Sequence, residues 1–348
     1  MLNPALPKTA LRSGRSFTGT FALSKLAFPL ILVLVALVVF TATPTSDLTP
    51  RYVGAQAALR GQSPYSEATL RDIQIAYYGA VATEGQDQQR FAYPAYSLFI
   101  FTPLTVFPLT VAHTVWQLAQ LALVLAALRR LGTPLVVGAL LLIVLKEPVV
   151  NLLVGNLALW ATAWIGFGLD ALERKQERRA GVYFMLACIQ PTLTIPLALF
   201  LLLPFRKALL TFVVGMGAVG IASVALWGWW IPDFLAGLRS YTTYVSYMVW
   251  LPALFPPVVV VALWSLVNGW RTDTPLTRYR YTLSALVLVM PLTGLYHLSL
   301  FLLARLPLRW WLVVGAVIWL ATPLPFEARR FEVVLFAATV LIFTRLHR

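Results

Sequence analysis

Apolar stretches about as long as a membrane crossing alternate with short basic turns along almost the whole chain. The first apolar run covers residues 26–43 and precedes the longest polar stretch, residues 44–92. Further runs at 111–129, 134–150, 152–170, 208–230, 253–269, 310–323 and 331–345 each read as a helix long enough to cross or nearly cross a bilayer. Basic clusters punctuate them: Lys8/Arg12/Arg15/Lys25, Arg129/Arg130, Arg174 to Arg179, Arg206/Lys207, Arg271/Arg278/Arg280 and Arg305/Arg309. Cytoplasmic loops carry such excess positive charge, so these turns are expected on one side, with both termini cytoplasmic and residues 44–92 outside.

Three apolar segments do not fit simple crossings. Pro94, Pro103 and Pro108 break residues 93–108, which are expected to be re-entrant or interfacial. Residues 181–205 and 281–304 lie between basic clusters that both belong inside, and each is only about one span long. Gln190-Pro191 and Pro291 to Gly294 interrupt them, which predicts two broken hairpins rising from the cytoplasmic side. Within the external segment a short surface helix is expected over residues 67–78 and a polar turn over 84–90. Residues 231–252 carry Trp227, Trp229 and Trp230 just ahead of them and Tyr241, Tyr244, Tyr247 and Trp250 within, an aromatic belt for the outer interface.

Composition agrees. Of 348 residues, 59% are hydrophobic and 11% charged, with mean hydropathy +0.79, too little polar surface to coat a soluble globule of this size. The expected fold is all-α: a single polytopic transmembrane domain over residues 1–348 with about ten to twelve membrane segments by span length. The net charge of +14 follows from the basic turns; they are short and scattered, which argues against a nucleic-acid partner. The lone cysteine, Cys188, excludes an intramolecular disulfide. The basic N-terminus followed by a full-length apolar run reads as a retained first helix.

Motifs of soluble enzymes are missing. There is no P-loop and no dinucleotide-binding glycine fingerprint, and His113, His297 and His347 lie far apart without neighbouring ligands, so no metal or other cofactor is expected. What remains is a set of isolated polar residues on the outer side: Asp47, Arg51, Tyr65, Arg90, Tyr93, Lys146, Glu147, Asn151, Asn156, Gln190, Tyr296 and His297. Asp47 leads it, because a carboxylate at a helix end avoids the roughly 2.5–3.5 kcal/mol cost of the helix centre and faces water. Each has a plain structural alternative: Asp47, Asn151, Asn156 and Gln190 as helix caps, Tyr65 and Tyr93 as interfacial anchors, Lys146 with Glu147 as a local ion pair, His297 as an interior histidine.

The order Asp47, Tyr52, Ala55, Ala58, Gly61, Pro64, Tyr65 resembles the opening signature of glycosyltransferase family 87, membrane enzymes of the GT-C type. The resemblance continues through Phe91-Ala92-Tyr93-Pro94 with Pro103 and Pro108, Gly155-Asn156, Ile189-Gln190-Pro191 and Pro291 to Leu298 with His297. The chain departs from the family pattern at Ala95, at Asn156 and at Gln190, where the family has proline, glutamine and lysine. The resemblance implies transfer of a sugar, mannose foremost, from a polyprenyl-phosphate donor to a glycolipid or envelope glycan at the outer face of the membrane. It places an external general base on Asp47, and donor or acceptor contacts on His297, Tyr65, Arg51, Tyr93, Asn156, Gln190 and Lys146, with Lys146, Arg51 and Arg278 as the alternatives for the part of the family lysine. Two other functions stay open: a transporter or flippase of lipid-linked saccharide, and an inactive subunit of an envelope assembly complex.

Overall fold

The computed structural model describes residues 18–41, 43, 45–83, 86, 89–244, 251–290, 295–322 and 331–347, with side chains undescribed at 18–25, 240–244 and 295. The basic residues Lys8, Arg12 and Arg15, most of the 84–90 turn, the side chains of Lys25, Tyr241 and Tyr244, the belt residues Tyr247 and Trp250, and the Pro291 to Gly294 interruption lie outside that description.

Among the described residues the chain is helical throughout, with no strand. In order come α1 (Thr18–Thr41), α2 (Thr49–Leu59), α3 (Glu67–Tyr78), α4 (Leu98–Phe101), α5 (Leu109–Arg130), α6 (Leu135–Val144), α7 (Lys146–Val154) and α8 (Ala158–Glu173). Then follow α9 (Glu177–Ala187), α10 (Pro191–Leu202), α11 (Arg206–Trp227), α12 (Ile231–Tyr244), α13 (Leu251–Leu254) and α14 (Pro257–Trp270). The last are α15 (Pro275–Val289), a 3-10 helix Leu295–Ala304, α16 (Leu308–Leu320) and α17 (Phe331–Leu346). The expected surface helix is α3, capped by Ser66 Oγ, which accepts from the Thr69 amide at 3.2 Å, and closed by Gly79 at φ 79°.

Helix length gives fewer full spans than the apolar runs suggested. Among the described residues α5 and α11, 22 residues each, are long and apolar enough to cross a membrane; α6 with α7 would be a third, but they meet at 80°. Several of the other runs are cut by helix breakers. Pro191 starts α10 where its missing N–H is harmless, and Pro257 and Pro275 do the same for α14 and α15. Residues 93–108 form α4 between 3-10 turns, too short to cross, as their three prolines required.

The basic turns do gather at one end of the bundle. Arg130 Nη1 lies 3.8 Å from Asp170, near the end of α8, and the Lys207 amide donates to Glu177 Oε2 at 3.1 Å, joining the α8–α9 and α10–α11 turns. The Arg278 guanidinium lies 5.9 Å from the Phe205 ring centre, and that of Arg280 lies 5.2 Å from Phe343 while donating to Ala304 O at 2.7 Å. Helices α9 and α10, 11 and 12 residues, thus leave this face and return to it, about half a bilayer deep at 1.5 Å per residue. Helix α15 and the 3-10 helix make the second such pair, tied by Tyr279 Oη donating to Leu300 O at 2.5 Å. Helix α9 approaches α11 closely because Gly181 carries no side chain: a Cβ there would sit 2.4 Å from Ala208 O.

Two apolar cores result. The larger centres on Leu34, Leu128, Leu169, Phe301 and Phe336; the smaller, around Leu48, Phe91, Phe101, Trp116, Leu157 and Ile189, packs α2 and the 93–108 segment onto the opposite end of the bundle from the basic face. Residues Leu210, Val214, Ile221 and Leu226 of α11 stay exposed, an outer surface suited to lipid.

Candidate active site

Asp47 stands in the turn between α1 and α2, half-buried. Its amide donates to Val154 O at 2.7 Å, and its Oδ2 accepts from Asn156 Nδ2 at 2.7 Å. Asn156 is fixed in turn, because its Oδ1 accepts from the Ala158 amide at 3.0 Å, satisfying a free donor at the start of α8. Among the described residues Oδ1 of Asp47 accepts no hydrogen bond. The carboxylate is therefore held by one oxygen and presents the other.

Gly155 makes this possible. It ends α7 at φ +69°, a left-handed conformation open to glycine at no steric cost, and its carbonyl accepts from Arg51 Nη1 and from Trp116 Nε1, both at 3.2 Å. Arg51, one helical turn after Asp47, is fully buried; its Nη2 donates to Tyr93 Oη and its guanidinium lies 4.3 Å from the Tyr93 ring centre. Tyr65 Oη donates to Tyr93 O at 2.6 Å, and the Tyr65 ring meets Phe91 edge-on at 5.3 Å. Burial raises the Tyr93 phenol above its ordinary range, Arg51 opposes this, and Asp47 adds to it. Burial also raises Tyr65, helped by Asp233. Both phenols are hydrogen-bonding groups and not acids near neutral pH.

Five of the residues singled out in the sequence, Asp47, Arg51, Tyr65, Tyr93 and Asn156, thus join in one network. The other three residues given a catalytic or binding role from the sequence, Gln190, His297 and Lys146, sit elsewhere. Gln190 lies half-buried at the α9–α10 turn, whose Cys188 O accepts from Tyr96 Oη at 2.8 Å. His297 is buried in the 3-10 helix, which Asn151 ties to α7 by donating to Tyr296 O at 3.1 Å and Ser299 Oγ at 2.6 Å. Lys146, at the far end of α7, is buried with its Nζ 3.8 Å from Glu332 Oε1.

Sequence reasoning passed over His113 and Trp116, which back the site from α5. Their spacing of three puts them on one helix face, the only signal available. His113 is fully buried against Gly155, and among the described residues neither ring nitrogen has a hydrogen-bond partner. Among the described residues no three His, Cys, Asp or Glu side chains are grouped to hold a metal ion. Set against protein-family models, curated proteins and solved structures, the chain matches none.

Proposed function

We propose that this is a polytopic membrane glycosyltransferase of the GT-C type, transferring one sugar with inversion from a polyprenyl-phosphate donor to a glycolipid or envelope glycan. The observation that carries the reading is the held carboxylate: Asp47 gripped at Oδ2 by Asn156, with Oδ1 left to accept a proton. In the reaction the acceptor hydroxyl gives its proton to Asp47 as its oxygen bonds to the anomeric carbon. The bond from that carbon to the phosphate oxygen breaks, and polyprenyl phosphate leaves with the electron pair. A positioned base of this kind contributes typically about 10²–10⁴-fold. Oxocarbenium character at the sugar and charge on the departing phosphate are the features the site must stabilise.

Arg51 braces the turn from behind through Gly155 and Tyr93, so its part is to position rather than to touch substrate. Gln190 and His297, on the two returning hairpins, are the residues this reading assigns to donor phosphate or acceptor. Lys146 is engaged with Glu332 and is left out of that group. Mannose as the sugar rests on family analogy alone. The gathering of basic turns at the end opposite Asp47 supports an outward-facing site in the plasma membrane and cytoplasmic termini.

A lipid-linked saccharide transporter is the second reading, favoured by the 80° break between α6 and α7 and by the half-length α9–α10 hairpin, features of substrate-moving bundles. Purified protein given radiolabelled polyprenyl-phosphate mannose separates the two. Label should reach a new glycan in wild type and fall at least about 10²-fold in Asp47→Asn. Equal turnover in both removes Asp47 from the mechanism, and movement of intact donor across sealed vesicles without transfer favours the transporter.

A further inference from the structure

The break between α6 and α7 brings two carboxyl groups together deep in the bundle. Helix α6 rises 10 residues from the basic face, about 15 Å, or half of a roughly 30 Å hydrocarbon layer, before the chain turns at Leu145. Val144 O, freed by the break, accepts from Trp319 Nε1 of α16 at 2.6 Å, so the kink is a satisfied part of the fold. Glu332 reaches the same level from α17, thirteen residues before Arg345 of the basic face, about 20 Å along the helix.

There Lys146, Glu147 and Glu332 are buried together: Lys146 Nζ lies 3.8 Å from Glu332 Oε1, and the Glu147 carboxyl lies against that of Glu332. Glu147 is 3% exposed, and among the described residues neither of its side-chain oxygens accepts a hydrogen bond from a donor. An ionised carboxylate in an apolar interior requires donors or a cation of its own, and a second carboxylate beside it works in the opposite direction. The charged groups that act on Glu147 among the described residues are Lys146 on its own helix and Glu332 on α17. Helices α1, α5, α6, α8 and α16 and the 3-10 helix, which also pack on α7, bring it none among the described residues.

We propose that Glu147 is a proton-binding residue within the membrane-embedded bundle, a neutral carboxylic acid whose O–H donates to the Glu332 carboxylate, with Lys146 completing the site. The bound ligand is one exchangeable proton, and the site is separate from the Asp47 network, which lies beyond the other end of α7. A carboxyl pair of this kind needs the proton to stay packed; ionising both acids sets like charges against each other at the N-terminus of the half-helix that ends in Gly155.

Infrared spectroscopy of the full-length protein in lipid, in light and heavy water near neutral pH, tests this directly. Wild type should show a carboxylic-acid carbonyl band that shifts on deuteration and is lost in Glu147→Gln, while the exposed-site control Glu67→Gln keeps it. Glu332→Gln should retain the band but move it, because the acid then donates to an amide. This second variant serves if Glu147→Gln fails to fold. Identical spectra for wild type and Glu147→Gln, or a band unmoved in Glu332→Gln, would overturn the proposal.

Discussion

Gly155 and His113 are packed so tightly that a Cβ on the glycine would lie 2.7 Å from the imidazole Nε2. Gly155→Ala therefore meets two penalties, about 1–2 kcal/mol for a left-handed residue with a side chain and typically about 1–3 kcal/mol for overpacking. Thermal unfolding in detergent should show a clearly lowered midpoint. Adding His113→Ala should recover part of the loss, since it removes the collision and leaves the backbone cost. An unchanged midpoint in Gly155→Ala would contradict the fit described here.

Tyr93 gives the site a defined alkaline response. Its phenol is raised in the folded protein chiefly by burial, so the fold keeps a proton that the unfolded chain loses at a pKa of about 10. Stability from this group is complete below that value and declines as pH rises past it towards the folded-state value. Tyr93→Phe has no such proton. It should be less stable near neutral pH, having lost the bond from Arg51, by about 1.5–3 kcal/mol for a charged donor. Denaturation curves for the two proteins should draw together above about pH 10. A gap that stays constant with pH would remove Tyr93 from the titration.

Orientation is open to a labelling experiment in which the buried Cys188 is first replaced by alanine. In right-side-out vesicles Arg71→Cys, on the exposed face of α3, should react with a membrane-impermeant maleimide. Lys175→Cys, in the basic α8–α9 turn, should react only after the vesicles are opened. The reverse pattern would turn the molecule over and place Asp47 on the cytoplasmic side.

The all-helical class was legible because apolar runs and basic turns alternate with little ambiguity, and α3 was legible because Ser66 and Gly79 mark its two ends. The two returning hairpins were legible from charge together with the breakers inside each segment, since Arg174 to Arg179 and Arg206/Lys207 cannot both be inside if residues 181–205 cross, and Gln190-Pro191 marks where that segment turns. The number of full spans was not: hydropathy registers apolar length, whereas Leu145 and Pro191 decide where hydrogen-bonded length stops. Asp47 and Asn156 were singled out separately, but their contact across 109 positions depends on how α7 ends, which no local pattern reports. His113 escaped because an isolated histidine in an apolar run looks the same whether it backs a site or fills a core.

The assembly of Arg129, Arg174, Arg206, Arg271, Arg305 and Arg345 turns at one end has a further effect in a real bilayer. Anionic headgroups attract each nearby basic side chain by about 1 kcal/mol. A leaflet rich in acidic lipid would therefore fix the immersion depth of the molecule, and extraction into an uncharged detergent would strip away a ring of counter-charged lipid along with the bilayer itself.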